Sequence, residues 1–210
     1  MRELTALAGV LGALTVGVIS PGPSFVMVAR AAVSSSRANG IAAAMGMGAG
    51  GVLFALAALV GLQALLLAVP SVYLALKVAG GMYLAYLGFR IWKSARQALM
   101  VQGEPSVVHT ALPKSLVLGF VTQVSNPKTA IVYASVFAAF LPPASSIAFD
   151  LALVIIVFAI ESGWYSVVAL ALSSEHPRRA YLRYKASVDR VAGSVMMLLG
   201  LKLILSGHQA

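Results

Sequence analysis

Three groups of residues in this 210-residue chain have types and spacing suited to chemistry inside an apolar protein. They are Pro21-Gly22-Pro23 with Ser24, Asn126-Pro127-Lys128, and Glu161, and each stands within a hydrophobic run. Proline in a helix interior removes a donor and clashes with the preceding turn, costing about 3 kcal/mol. Each proline group therefore marks a helix end or a wanted break. A helix restarting there begins well, because proline suits the first helical position and asparagine is among the best caps. Its fresh N-terminus offers N–H groups and a positive dipole end to an anion such as a carboxylate. Glu161, in "VFAIESGWYSVV", supplies the opposite charge. A charge at the centre of a bilayer costs roughly 2.5–3.5 kcal/mol on insertion scales, so Glu161 needs a cavity, a proton or a basic partner. Two readings stand open: a carboxyl that accepts a transported proton, or a structural pair with Lys128 that holds two helices together.

The elements that must position these groups follow from composition. The chain is 60% hydrophobic and 10% charged, with a mean hydropathy of +0.93. A soluble domain carries about 25% charged residues, so the solvent here is lipid. A membrane helix needs about 20 predominantly apolar residues. Six stretches meet or approach that length: 4–33, 40–69, 72–95, 113–141, 146–172 and 188–206. The first resembles a signal peptide in having Arg2 before an apolar run, but no small-residue cleavage site precedes a polar segment, and apolar character resumes at Phe25. It is expected to be a retained helix. Broken backbone at membrane depth is tolerated only inside protein or beside a water-filled cavity. The breaks in spans 1 and 4 therefore predict a shared central cavity, the bland alternative being two proline kinks.

The lysines and arginines set the orientation. Eleven of them (Arg30, Arg37, Arg90, Lys93, Arg96, Lys114, Arg178, Arg179, Arg183, Lys185 and Arg190) flank or fill the gaps after spans 1, 3 and 5. The gaps after spans 2 and 4 hold none, and the latter contains Asp150. Odd-numbered loops are expected to be cytoplasmic and both termini outside. The chain also repeats weakly: "SPGPS" (20–24) answers "SNPKT" (125–129), and "KVAG" (77–80) answers "RVAG" (190–193). Three helices is an odd number, so a second copy enters the membrane inverted, the plan of many secondary transporters. The predicted fold is an all-α integral membrane protein of six transmembrane helices in two inverted three-helix repeats, with helices 1 and 4 broken at prolines. Residues 1–97 form the first repeat, 98–112 a cytoplasmic linker and 113–210 the second repeat.

Other residues carry less. Lys77 and Lys202 sit near span ends, where they snorkel to the interface. Tyr83, Tyr86, Trp92 and Trp164 suit interface belts or core, with Tyr83 and Trp164 as weak candidates for the cavity. The run "GMGAGG" (46–51) gives span 2 a small face for close packing, either internally or in a homodimer. His109, His176 and His208 lack metal-ligand spacing, and the absence of cysteine excludes disulfides, thiolate metal sites and dithiol electron carriers. The net charge of +9 lies between apolar runs rather than on a basic face with interleaved aromatics, so no nucleic-acid partner is expected. No nucleophile–base pair or metal motif accompanies the proposed cavity, so neither an enzyme nor a cofactor is expected.

The residues also resemble a known family. "SPGPSFVMVAR", "ALVGLQALLL", "LKVAGGMYLAYLGFRIWKSA", "GFVTQVSNPKTAIVYASVFAAFLP" and "VDRVAGSVMMLLGLKLIL" run in the order seen in the lysine-exporter (LysE/RhtB) family of bacterial amino-acid efflux transporters. The resemblance covers nearly the whole chain. It implies a bacterial inner-membrane secondary transporter that exports amino acids or close derivatives, coupled to the proton gradient; competition of proton and substrate ammonium for Glu161 would make that coupling antiport, with uniport left open. The family motif residues here are Pro21, Gly22, Pro23, Asn126, Pro127 and Lys128, and Glu161 before Trp164 fits the acidic residue that many relatives carry in span 5. Together with the helix breaks, this makes those residues and Ser24 the expected substrate contacts, with Glu161 also the expected proton-coupling group. Many relatives carry an acidic or polar residue just after the glycine run, where this chain has Gly51, which speaks against a dibasic amino acid and for a zwitterionic or neutral one. The alternatives are an exporter of metal ions or other small solutes, and a non-transporting membrane scaffold.

Overall fold

The computed structural model describes residues 2–20, 22–68, 70–97, 111–142 and 144–207. Pro21, His109, His208 and nearly all of the expected linker lie outside the described residues, as do the side chains of Lys77 and His176. Among the described residues there are helices and no strands: α1 (Arg2–Ile19), α2 (Pro23–Ser34), α3 (Arg37–Ala68), α4 (Pro70–Ser94), α5 (Leu112–Val124), α6 (Pro127–Phe140), α7 (Ile147–Leu172) and α8 (Glu175–Gly207). The segment Arg37–Gly61 and helix α7 are each long and apolar enough to cross a membrane, and α1 with α2 forms a third such stretch bent by 57° at its break. α5 and α6 are shorter apolar helices. The interruptions fall where the prolines foretold, since α2 opens with Pro23 and α6 with Pro127.

Local chemistry fixes the helix ends. Ser36 caps α3, its hydroxyl accepting from Asn39 N at 3.1 Å, and Ser146 caps α7 by accepting from Phe149 N at 3.2 Å. Each satisfies a donor that the first turn leaves without a partner. Helix α8 begins well before the expected start at 188. Hydropathy marks only where a helix is apolar, whereas "EHPRRAYLRYKAS" is rich in residues that form helices regardless of solvent. At 1.5 Å per residue α8 is about 50 Å long, against about 30 Å of hydrocarbon.

Contacts between helix ends sort the chain into two poles. Glu3 accepts from the backbone N–H and hydroxyl of Ser146, and Ser145 donates to Asp150, so the starts of α1 and α7 share one pole. At the other, Arg37 donates to Ser173 and Ser174, Asn39 donates to Ser115, and Lys185 donates to Ala95 O. The basic residues Arg37, Lys114, Arg96 and Lys185 thus belong to a single pole.

Between the poles, glycine sets the helix spacing. A Cβ at Gly46 would fall on the Leu116 carbonyl oxygen, and one at Gly119 on that of Ala43, so α3 and α5 touch backbone to backbone. α4 and α8 do the same twice in antiparallel register. A Cβ at Gly193 would stand 2.5 Å from Gly88 O, and one at Gly200 would stand 2.5 Å from Gly81 O. Small residues that let backbones approach are the usual basis of helix association in lipid, where apolar burial offers no driving force. Lys185 and Asp189, both buried, pair at 2.6 Å beside the end of α4.

Gly193→Ala is expected to force α4 and α8 apart and cost about 1–3 kcal/mol, the usual penalty of overpacking. Gly12, with nothing within 4 Å of its Cβ position, is the control. Gly12→Ala should leave stability unchanged or raise it by up to about 1 kcal/mol through helix propensity. Heat-denaturation midpoints of the two variants in detergent read the difference.

Candidate functional site

The two helix breaks face each other. Ser24, in the first turn of α2, donates its hydroxyl to Gln123 Oε1 at 2.8 Å, near the end of α5. It accepts from Asn126 Nδ2 at 2.9 Å. Asn126 is the N-cap of α6, its Oδ1 accepting from Lys128 N at 3.0 Å. The Lys128 ammonium crosses to the first break and donates to Ser20 O at 2.6 Å, a carbonyl freed at the end of α1. A cation at a helix C-terminus both satisfies a carbonyl and meets the negative end of the dipole. Four helix ends are thus joined by side chains, and Ser24, Gln123 and Asn126 are all buried.

Gly22 is the N-cap of α2 and makes no side-chain cap hydrogen bond. Its backbone is extended, with φ of −156° and ψ of −166°, a conformation open to any residue. A Cβ there would stand 3.3 Å from Lys128 Cδ and 3.5 Å from its Nζ, close enough to press on the Lys128 side chain. The uncapped start of α2 and the Lys128 ammonium therefore converge on one spot.

Glu161 lies near the middle of α7 and is 1% exposed. Tyr133 donates its hydroxyl to Glu161 Oε1 at 2.8 Å. Oε2 is buried with no partner at hydrogen-bond distance and angle, although Gln123 and Lys128 both act on the carboxyl. Among the described residues no ion pair joins Glu161 to Lys128. The ammonium is held by Ser20, and the two side chains line a common cavity. That cavity is lined by Gly22, Ser24, Asn126, Lys128, Thr129, Tyr133, Glu161 and Tyr165 on its polar walls, and by Leu14, Gly17, Val18 and Val132 elsewhere. It encloses about 330 Å³ of empty space counting its open mouth. Its interior leaves room for only a water or two, so a larger solute enters only if the walls move.

The structure brings together five of the eight residues singled out in the sequence: Gly22, Ser24, Asn126, Lys128 and Glu161. Pro23 and Pro127 start their helices from exposed positions outside the cavity, and Pro21 is outside the described residues. Tyr83 packs against Tyr86 at 6.1 Å on α4, and Trp164 packs among Phe25 and its neighbours, so neither lines the cavity. Their aromatic character reflected packing. Sequence reasoning passed over Tyr133, Tyr165, Thr129 and Gln123. Gln123 had a signal, a polar residue inside an apolar helix. Thr129 and Tyr133 share a helix face with Lys128 and Val132. Among the described residues no group of three His, Cys, Asp or Glu comes together to hold a metal ion.

Comparison with known proteins bears on this site. The family model described as LysE type translocator matches residues 15–207. A threonine efflux protein of Escherichia coli K12 is 29% identical over 192 residues, covering 91% of this chain and 93% of that protein. The same figures hold for a threonine efflux protein of Salmonella typhi. An uncharacterized membrane protein of Haemophilus influenzae is 28% identical over 194 residues, covering 91% of this chain and 92% of that one. No solved structure matches the chain.

Ser24→Ala removes the shared partner of Gln123 and Asn126, leaving a buried acceptor and a buried donor bare. It is expected to cost about 1–3 kcal/mol. Ser24→Thr, which keeps the hydroxyl, should retain most of that stability. Thermal melting of the purified protein checks the order wild type, Thr, Ala.

Proposed function

The chain belongs to the LysE type translocator family, and from that premise we propose that it is a secondary transporter exporting a zwitterionic amino acid or close derivative from the cytoplasm. The observation that carries the reading is a cavity with both signs of charge, set between two helix breaks. An amino acid presents a carboxylate and an ammonium. The uncapped start of α2, with Lys128 beside it, suits the carboxylate. Glu161 Oε2, buried without a hydrogen bond, suits the ammonium. Ser24 and Asn126 hold these two halves in register, and Pro23 and Pro127 serve by shaping the breaks. The relatives named as threonine efflux proteins support the substrate class.

On this reading the eight helices make six membrane spans, α1 with α2 and α5 with α6 each forming one, arranged as two inverted repeats over 1–97 and 113–210. The reciprocal glycine contacts of α4 with α8, the third helices of the two repeats, support it. The pole that gathers Arg37, Arg96, Lys114 and Lys185 is cytoplasmic by the positive-inside rule, in a bacterial inner membrane, with both termini outside. Rocking of one repeat against the other opens the cavity to each side in turn. Glu161 takes either the substrate ammonium or an incoming proton. Competition for one carboxylate is the simplest physical route to antiport.

Glu161→Gln tests the coupling. In right-side-out vesicles loaded with threonine, an acid exterior should speed efflux by wild type several-fold. The variant, reconstituted at equal amount, should show no response to the gradient. A variant that responds as wild type does would remove Glu161 from the coupling.

A further inference from the structure

The mechanism above uses Glu161 but not the tyrosine bonded to it. Tyr133 is 2% exposed, and two spaces meet at its ring. On one side lies the central cavity. On the other, an apolar cleft opens between α3 and α6, lined by Phe54, Ala57, Ala58 and Gly61 of α3 and by Ala130 and Ala134 of α6. This cleft encloses about 590 Å³ counting its mouth. Tyr133 lines both spaces, and no other lining residue is common to them. The cleft follows one face of α3 from residue 54 to residue 61, away from the pole that holds Arg37.

We propose that Tyr133 is the gate between the central cavity and the pole opposite the basic one, with its hydroxyl latched on Glu161. The proposal rests on the reading of the central cavity as the substrate site and names the group that closes it. The ring is the wall: it stands 5.5 Å from Phe54 in a tilted pair and 5.5 Å from Phe137 edge-on. The hydrogen bond to Glu161 Oε1 is the latch. Gly51 makes room for it, since a Cβ there would stand 2.8 Å from the Tyr133 hydroxyl and 3.0 Å from Glu161 Cγ. A carboxylate is a stronger acceptor than a neutral or charge-matched carboxyl. When a proton or a substrate ammonium occupies Glu161, the latch weakens and the ring can turn into the cleft, whose lining apart from Phe54 is alanine and glycine. One carboxylate thereby reads the occupant and releases the gate. The absence of a side chain at position 51 becomes a condition of gating rather than a missing charge.

The chain has no cysteine, so a single reporter suffices. Thr129→Cys places a thiol in the central cavity, and its reaction with a membrane-impermeant trimethylammonium methanethiosulfonate is timed in right-side-out and inside-out vesicles. With Tyr133 intact, reaction from the pole at which α3 ends should be slow. Tyr133→Ala should speed it at least tenfold from that side alone. Tyr133→Phe keeps the ring and loses the latch, so it should give a smaller rise of several-fold from the same side, and Gly51→Ala should match it. Rates equal to the parent in both Tyr133 variants, or rises of equal size from both sides, would overturn the gate. Labelling needs no transported solute, so a failed export assay with side-specific labelling would sink the substrate reading and leave the gate standing.

Discussion

A backbone group freed from its helix inside a bilayer has no water to turn to, and each one left bare costs several kcal/mol. This chain frees such groups twice, at the ends of α1 and α5 and at the starts of α2 and α6. The rest of the structure answers that constraint. Lys128 satisfies Ser20 O, Asn126 satisfies the first turn of α6, and Ser24 ties Asn126 to Gln123. The start of α2 is the one of the two restarted helices with no side-chain cap, and it lies beside the cavity. The end of α1 and the start of α6 are thus answered by side chains, and the start of α2 is the one proposed to take a carboxylate.

Glycine makes this arrangement reachable. The contacts of Gly46 and Gly119 bring α3 against α5, and through Gly50 and Gly51 the same helix meets Gln123, Tyr133 and Glu161. A larger residue at any of these positions would separate the helices that carry the polar groups. The low mutual attraction of apolar helices in lipid makes such contact a requirement, since distance lost there cannot be recovered by burying more surface.

Much of this was legible in the sequence because it rests on residue types that mean the same thing in every context. Proline stops helices, and a lone glutamate in an apolar run needs a reason. The breaks at Pro23 and Pro127, five of the cavity residues and most helix bounds followed. What was hidden depends on rotation and partner choice. Lys128 looked like a partner for Glu161 by charge, yet it reaches a backbone carbonyl 108 residues away in sequence. Tyr133 and Tyr165 carried no signal of their own in the sequence, and only the packing of α6 and α7 brings them to the cavity. Tyr83 and Trp164 carried an aromatic signal and face elsewhere. The polar start of α8 escaped because hydropathy sees lipid contact, not helix.

The central claim is that the two facing breaks bind an amino acid for export. Its most direct test is a mass-spectrometric panel of amino acids released by cells expressing wild type or Asn126→Ala at matched membrane levels, after dipeptide feeding has raised the internal pools. The account predicts that one or a few amino acids, threonine-like in size and charge, leave faster with wild type alone. Identical release from the two strains would contradict it, making the breaks structural kinks or the cargo another class of solute.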